Sequence, residues 1–155
     1  MSAEAVRAFL AARAPDLKIL ETSGSGETWT LASLAADNEA SCFARTLLLS
    51  VGGRKILIVA RRDTRLANQK IKSVFGHRAK MLGATEVQSF TGHPVDGVCP
   101  FGLARPVPVY TDISLQVFDG VLIAAGSSSA VVRITPLRLA DLTGAKWVDV
   151  CQQSD

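Results

Sequence analysis

The stretch TLLLSVGGRKILIVA, residues 46–60, consists of two apolar runs on either side of a glycine pair. The runs Thr46–Val51 and Lys55–Ala60 are rich in Leu, Ile and Val, and Gly52-Gly53-Arg54 separates them. Apolar runs of this length joined by a short glycine-containing turn are typical of a β-hairpin. Because a hairpin makes its two strands antiparallel, the sequence favours a mixed sheet over an all-parallel one.

Helical and strand-like segments alternate on both sides of this hairpin. The helices that apolar spacing and capping residues predict run from Ser2 to Pro15, over Leu31–Ala36, from Asp63 to Gly76 and from Pro136 to Gly144. The predicted strands are Lys18–Thr22, Val107–Tyr110, Val121–Ala125, Val131–Ile134 and Trp147–Cys151. Gly24–Gly26 predicts a turn, and Leu82–Phe90 is ambiguous, a small helix being one interpretation. We therefore expect an α/β (or α+β) fold with a mixed, curved sheet.

The length and composition of the chain are those of one folded domain, residues 1–155. With 155 residues, 48% of them hydrophobic and 20% charged, it can bury a core without a disulfide or a metal. Its longest apolar runs are far shorter than the ~20 residues that span a bilayer, and the N-terminus lacks a signal-peptide pattern. Cysteines 42, 99 and 151 are odd in number and widely spaced, which suits reduced thiols. The sequence therefore predicts a cytoplasmic protein without membrane association.

Positive charge is concentrated in the middle of the chain. Residues 45–80 contain ten Lys or Arg and one acid, Asp63, whereas the rest of the chain has seven basic and thirteen acidic residues. A basic block on an otherwise acidic domain is expected of a surface that binds a polyanion such as a nucleic acid. The alternative is a solvated helix and hairpin that happen to be rich in Lys and Arg, and charge alone leaves both open.

Common catalytic motifs are absent from the sequence. It has no phosphate-binding G-x-x-x-x-G-K-[ST] loop, no H-E-x-x-H and no C-x-x-C, and His77 and His93 are too few for a histidine-based metal site. Gly126-Ser127-Ser128-Ser129 lacks the second glycine of a nucleophile elbow. A serine triad assembled in space is not excluded, and Cys99 is either a nucleophile or a small buried hydrophobic residue. We expect neither a metal nor another cofactor.

The segment Thr91–Gly102, TGHPVDGVCPFG, has three glycines and two prolines in twelve residues. Glycine permits close approach of the backbone to a ligand, whereas proline stiffens the chain. The backbone N–H groups of Gly97, Val98 and Cys99 are therefore candidates for a fixed cluster of donors that holds a carbonyl or an oxyanion. Pro100 has no N–H and can only shape the loop. A purely structural connection is the alternative, and the residues alone do not separate the two.

This loop resembles the Gly/Pro loop of the YbaK-type aminoacyl-tRNA deacylases, whose relatives include the editing insertion of bacterial prolyl-tRNA synthetases. Other segments are similar in the same order along the chain, namely Arg45-Thr46-Leu47-Leu48, Pro106–Asp112, Val121–Gly126 and Leu139–Cys151. The resemblance extends from Lys18 to Cys151, and the loop together with the spaced Asp112 is its most specific part. On this basis the chain is identified as a member of that family.

The resemblance implies a compact YbaK-like domain with a mixed, barrel-like sheet flanked by helices. It also implies a free-standing trans-editing enzyme that hydrolyses the ester of a mischarged aminoacyl-tRNA at the 3′ end, without a metal, a cofactor or a covalent intermediate. In that family, loop backbone groups hold the aminoacyl moiety, and a ribose hydroxyl helps to organise the attacking water. The implied partners are tRNA and, as a further option, an aminoacyl-tRNA synthetase, with no DNA and no membrane.

Site residues follow by position from the same resemblance. Gly97–Pro100 would be the substrate loop, with the catalytic donors on Gly97, Val98 and Cys99. The other substrate contacts would come from Thr46, Asp96, Gly102, Asp112 and Gly126. The tRNA phosphates would contact Arg54, Lys55, Arg61, Arg62, Arg65, Lys70 and Lys72.

Two positions depart from the family's pattern. Arg45 replaces its lysine and would act in catalysis as a fixed positive charge, since a guanidinium cannot be a general base. Asp96 replaces the first glycine of its Gly-x-x-x-Pro loop. These changes are compatible with an active enzyme of altered specificity and also with a regulatory module that binds tRNA or an aminoacyl group without hydrolysing it.

Overall fold

The computed structural model describes residues 2–17, 19–21, 43–62, 64–95, 97–127 and 130–153. The predicted turn at Gly24–Gly26, the predicted helix Leu31–Ala36 and the residues Cys42, Asp63 and Asp96 lie outside these ranges. The α-helices within them are Ser2–Arg13 (α1), Asn68–Phe75 (α2), Ala84–Thr91 (α3) and Pro136–Thr143 (α4). None of these helices combines the length and the apolar character that a membrane span requires.

Ten strands and one 3₁₀ helix complete the secondary structure of the described ranges. The strands are Ile19–Glu21 (β1), Ala44–Val51 (β2), Arg54–Arg61 (β3), Thr64–Leu66 (β4), Ala79–Met81 (β5), Val109–Asp112 (β6), Val121–Ala124 (β7), Ala130–Ile134 (β8), Lys146–Val148 (β9) and Cys151–Gln153 (β10). The 3₁₀ helix covers Ile113–Val117. The ambiguous segment before residue 91 is thus a helix, and the helix predicted to open at Pro136 is confirmed.

The predicted hairpin is present as β2 and β3. The two strands pair over their whole length, from Ala44 opposite Arg61 to Val51 opposite Arg54. Their turn consists of Gly52 and Gly53, with φ of 59° and 82°. Positive φ at both positions matches the twist of a tight hairpin, and glycine adopts it without strain. The prediction from residues 46–60 is confirmed, with residue 54 in the strand rather than in the turn.

The central sheet is mixed and has the order β5-β2-β3-β6-β9. Strands β5, β2 and β3 run antiparallel, whereas β3, β6 and β9 run parallel. A second sheet has the order β1-β8-β7, a bridge between Phe43 and Leu122 joins it to the central sheet, and β4 pairs with β10 separately. This confirms the mixed α/β architecture. In the part of the chain that the structure describes, the sheets do not close into a barrel, so the barrel-like curvature stays a prediction.

The helix predicted to begin at Asp63 begins at Asn68 instead. Residues 64–66 form β4, whose backbone groups pair with Cys151–Gln153 of β10. That pairing satisfies their N–H and C=O groups before the helix begins, which is why the prediction was wrong at this end. Gly76 ends the helix with φ of 80°, as predicted, whereas Val74 is 46% exposed and is not on the buried face.

The last predicted strand, Trp147–Cys151, is two strands in the structure. Strand β9 ends at Val148, and β10 begins at Cys151 on a different partner. Between them the Val150 N–H donates a 2.8 Å hydrogen bond to the Asp112 carboxylate. This side-chain acceptor replaces a strand partner at the point where the chain leaves the central sheet, so the single-strand prediction was wrong.

An apolar cluster covers each face of the central sheet. The larger cluster contains Val6 of α1, Val59 of β3 and Phe101 of the Gly/Pro loop. The smaller cluster contains Ile58 of β3 and Ile71 of α2. Successive side chains of a strand point to opposite faces, which is why Ile58 and Val59 belong to different clusters. The Gly/Pro loop is therefore held on one defined face of the sheet.

Candidate active site

The Gly97–Phe101 loop packs directly against a second loop that follows β7. The Gly126 N–H donates a 3.0 Å hydrogen bond to the Gly97 carbonyl. A Cβ on Gly97 would lie 2.4 Å from the Ser127 backbone nitrogen, well inside van der Waals contact. Gly126 itself has φ of 95°, in a region that L side chains rarely adopt. Glycine at both positions therefore allows the two loops to touch through their backbones.

Two of the three predicted backbone donors are available in this loop. The Gly97 N–H donates to the Pro94 carbonyl at 2.9 Å, so it closes a turn. The N–H groups of Val98 and Cys99 have no acceptor among the residues that the structure describes. Both residues are buried, and a buried N–H without a partner is rare because it costs free energy. The candidate donor cluster therefore narrows to Val98 and Cys99.

The Cys99 side chain is a buried hydrophobic group rather than a nucleophile. Burial raises the pKa of its thiol to about 12. Its Sγ lies 3.8 Å from His93 Nε2 and 3.6 Å from the Phe101 carbonyl oxygen. At neutral pH the thiol is protonated, and the protonated form is a weak nucleophile. The contribution of residue 99 to the site is therefore its backbone N–H.

His93 braces the same loop from the inside. Its Nε2 lies 2.7 Å from the Phe101 carbonyl oxygen, and its backbone N–H donates to Thr91 Oγ1 at 3.1 Å. Burial lowers the pKa of His93 below its usual 6.5, so the ring is neutral at pH 7 and the carbonyl contact assigns the proton to Nε2. In the described part of the chain, no three His, Cys, Asp or Glu side chains form a metal-binding group. Sequence reasoning gave His93 no role, because nothing local marks a histidine as buried.

Thr46 presents a buried hydroxyl on the loop side of the central sheet. Ala44 and Leu48 of the same strand belong to the cluster that contains Val98 and Cys99, so Thr46 shares their face. Thr46 is 6% exposed, and among the described residues its Oγ1 has no hydrogen-bond partner. A buried hydroxyl without a partner costs about 1–3 kcal/mol, and such groups in native structures call for a functional explanation. A bound substrate or water would supply the partner.

Arg45 lies on the opposite face of β2 from Thr46. It pairs with Ala60 in the β2–β3 register, and Ala60 belongs to the smaller cluster. Its Nη2 donates a 2.8 Å hydrogen bond to the Thr64 carbonyl on β4. The structure therefore does not bring the guanidinium to the Gly/Pro loop, and its geometry favours a tie between β2 and β4 over the catalytic role that the resemblance implies.

Asp112 is engaged by backbone donors on both of its oxygens. It is 1% exposed, and Oδ2 accepts a 2.9 Å hydrogen bond from the Ser114 N–H at the start of the 3₁₀ helix. Oδ1 accepts the Val150 N–H described above. With both oxygens occupied, the geometry favours a structural anchor over the predicted substrate contact.

The remaining predicted loop residues differ in what surrounds them. Pro100 is buried beside the two donors. Gly102 has φ of 59°, and a Cβ there would lie 2.6 Å from the Ala5 carbonyl carbon, so its glycine is explained by contact with α1. Asp96 lies outside the described residues.

The seven residues predicted to contact phosphate do not share one face. Arg54 and Arg61 lie at opposite ends of the eight-residue strand β3, roughly 23 Å apart at 3.3 Å per residue. Lys70 forms a 2.9 Å ion pair with Asp149, which raises the pKa of Lys70. The exposed members are Arg54, Arg62, Arg65 and Lys72. Three members lie over aromatic rings: Lys55 over Phe90, Arg61 over Phe118 and Arg62 over Phe43.

Comparison with known proteins assigns the family. Residues 26–142 match the aminoacyl-tRNA editing domain family. The chain belongs to that family. This confirms the resemblance drawn from the Gly/Pro loop and supports a role of this editing domain in tRNA editing.

Solved structures and a curated relative resemble the editing domain over most or much of its length. A candidate trans-editing enzyme for prolyl-tRNA synthetase is 30% identical, with a TM-score of 0.86 over 97% of each chain. The protein APE2540 is 28% identical, with a TM-score of 0.82 over 96% of this chain and 99% of that one. The uncharacterized protein YwhH of Bacillus subtilis (strain 168) is 44% identical over 102 residues, and this match spans 65% of the length of each protein.

Proposed function

We propose that this editing domain is a free-standing deacylase that hydrolyses the ester of a mischarged aminoacyl-tRNA, releasing the amino acid and intact tRNA. The observation that carries the proposal is the pair of unpaired N–H groups on Val98 and Cys99, in a loop that the Gly97–Gly126 contact holds in place. Family membership and the likeness to a candidate trans-editing enzyme support the same substrate class. A tRNA substrate in turn favours a cytoplasmic location.

The two N–H groups match the charge that develops during ester hydrolysis. Water adds to the ester carbonyl carbon, and the carbonyl oxygen becomes an oxyanion in the tetrahedral intermediate. When the intermediate collapses, the bond from the carbonyl carbon to the ribose oxygen breaks and that oxygen takes up a proton. Fixed donors aimed at such an oxyanion lower the barrier by about 2.7–4 kcal/mol each, which is 10²–10³-fold in rate. We assign this role to Val98 and Cys99.

Proton transfer from the water does not rest on the titratable groups that the structure places at this loop. His93 is neutral with its Nε2 proton directed to a carbonyl, and Cys99 keeps its proton because its pKa is about 12. The proposal therefore assigns the orientation of the water to the Thr46 hydroxyl together with a ribose hydroxyl of the substrate. Asp96 is the remaining candidate proton acceptor in the loop, and its substitution by Asn belongs in the same assay.

The proposal is tested by release of amino acid from a panel of mischarged tRNAs, compared with uncatalysed hydrolysis. Thr46→Val is the informative variant, because it replaces an unpartnered hydroxyl by a methyl group of the same size. It should leave the free energy of unfolding unchanged or raise it, and it should lower kcat/KM at least tenfold. The matched control is Thr143→Val on α4, whose hydroxyl is bonded to the Leu139 carbonyl and should not affect hydrolysis.

The second candidate is a module that binds aminoacyl-tRNA without turnover, which the change of the family's loop glycine to Asp96 would allow. It predicts saturable binding of mischarged tRNA and no release above the uncatalysed rate for any member of the panel. In that case Thr46→Val would weaken binding of the charged tRNA relative to the uncharged tRNA. Accelerated release from even one charged tRNA would exclude this candidate.

A further inference from the structure

Two cations from separate parts of the chain converge on the ring of Phe90. Lys55 Nζ on β3 lies 5.1 Å from the ring centroid, and the guanidinium carbon of Arg105 lies 4.6 Å from it. Arg105 also donates a 3.5 Å hydrogen bond to the Ser89 carbonyl. Attraction between a cation and an aromatic face holds each charge in place, although the two charges repel each other. Arg105 lies outside the basic block of residues 45–80, so only the fold joins it to Lys55.

A third cation, Lys80, lies in the same cross-strand row. Ser50 of β2 is paired with Lys55 on one side and with Lys80 of β5 on the other. Paired residues point to the same face of a sheet, and two strand spacings separate the lysines by about 10 Å. We call Lys55, Lys80, Phe90 and Arg105 the Phe90 cluster.

The positive charge of the Phe90 cluster is not neutralised by a neighbouring carboxylate. In the described ranges, no acidic residue forms an ion pair with Lys55, Lys80 or Arg105. Glu86, one helical turn before Phe90 on α3, is exposed and also forms none. Lys70 differs, because Asp149 neutralises it. The cluster is therefore a surface on which an external anion relieves the mutual repulsion of its cations.

The Phe90 cluster stands at the base of the loop that carries the candidate oxyanion donors. The Ala104 N–H donates a 2.9 Å hydrogen bond to the Thr91 carbonyl and so closes this loop. Phe90 and Arg105 are the residues immediately outside that bond on either side. A polyanion whose end reaches the loop passes these cations, so the anion and the substrate can belong to one molecule.

We propose that the Phe90 cluster binds backbone phosphates of the tRNA acceptor end and so directs the charged 3′ terminus to the Gly97–Phe101 loop. The proposal rests on the proposed function for the identity of the polyanion. Arg105 supplies a planar fork of donors that suits phosphate, and the lysines act as point charges. The cluster touches no base in this scheme, so it contributes affinity common to all tRNAs.

The test is equilibrium binding of an uncharged tRNA, followed by fluorescence anisotropy across a series of salt concentrations. The variant is Lys55→Gln with Arg105→Gln, and the control is Arg13→Gln with Lys146→Gln, two exposed residues whose loss changes the net charge equally. We expect about tenfold weaker binding for the variant and a log–log salt slope smaller by about 0.7–0.9 per lost contact. Phe90→Leu, which keeps the apolar packing and removes the ring, should weaken binding less. The control should bind like the wild type.

Failure of this proposal is distinguishable from failure of the proposed function. If the variant binds tRNA with the affinity and salt slope of the wild type while its melting temperature is unchanged, the proposal is overturned whether or not the protein hydrolyses tRNA esters. Equal weakening by the control pair would overturn it too, because the effect would then be one of net charge. If the variant weakens binding and wild-type protein releases no amino acid, the cluster stands and hydrolysis falls. With hydrolysis present, we expect the variant to raise KM and to leave kcat within threefold.

Discussion

The backbone N–H of Gly126 donates a 3.0 Å hydrogen bond to the carbonyl of Gly97. This bond joins the Gly/Pro loop to the turn after β7, two segments that are far apart in the sequence. The close approach makes the position of the Val98 and Cys99 N–H groups depend on both loops. The proposed oxyanion site is therefore fixed by a contact in which no side chain takes part.

Adding a side chain at Gly97 should abolish this contact. A Cβ there would lie 2.4 Å from the Ser127 nitrogen, so Gly97→Ala should separate the loops and lower kcat/KM at least tenfold, and Gly97→Val should lower it further. The control is Gly83→Ala, because a Cβ at Gly83 meets nothing within 4 Å. Steady-state deacylation with purified, folded protein makes the comparison. Full activity of Gly97→Val would show that the loop contact is dispensable.

Replacing the Cys99 thiol should leave hydrolysis largely intact. Cys99→Ala should retain kcat/KM within about threefold, because the backbone N–H persists and a thiol with a pKa of about 12 is not a nucleophile at neutral pH. Alkylation of the native protein at this buried position should be slow. A thioester trapped on Cys99 and detected by mass spectrometry, together with loss of activity in Cys99→Ala, would establish covalent catalysis instead.

Substitution of Arg45 should affect stability more than chemistry. Arg45→Ala removes the bond to the Thr64 carbonyl and should lower the free energy of unfolding by about 1.5–3 kcal/mol, whereas kcat of the folded protein should stay within threefold. Arg45→Lys should recover part of the stability. Arg54→Ala, at the exposed end of β3, is the control for loss of a positive charge. A tenfold fall in kcat with unchanged stability would restore the catalytic role that the resemblance implies.

Acidification should destabilise the fold through His93. Its pKa in the folded state lies below the usual 6.5 because burial disfavours the charged ring, so the unfolded chain binds more protons. This contribution to stability is complete above pH 6.5 and is lost as pH falls through the folded-state pKa. His93→Gln should reduce the difference between urea midpoints at pH 8 and pH 5.5, and His77→Gln, at an exposed position, should not. An unchanged difference in His93→Gln would assign the pH dependence to other groups.

Local sequence signals predicted the elements that depend on short-range chemistry. The Gly52-Gly53 turn, the helix end at Gly76 and the helix start at Pro136 are all confirmed, because each follows from the backbone preferences of one or two residues. The start of α2 and the split of the final strand were missed, because both depend on the pairing of β4 with β10 and on the Asp112 carboxylate. These partners are distant in the sequence, and no local pattern announces them.

The sequence by itself determined that this is one mixed α/β editing domain with a Gly/Pro loop of candidate donors, since turn chemistry, strand patterning and motif spacing are written locally. The tertiary structure decided which of the candidates face the loop. Alternation along β2 puts Thr46 on the loop side and Arg45 on the other, and long-range packing gives Gly97 its contact with Gly126. It also brings Arg105 to Lys55 across the ring of Phe90. Side-chain facing and loop contact depend on register and packing between distant segments, and these exist only once the whole chain has folded.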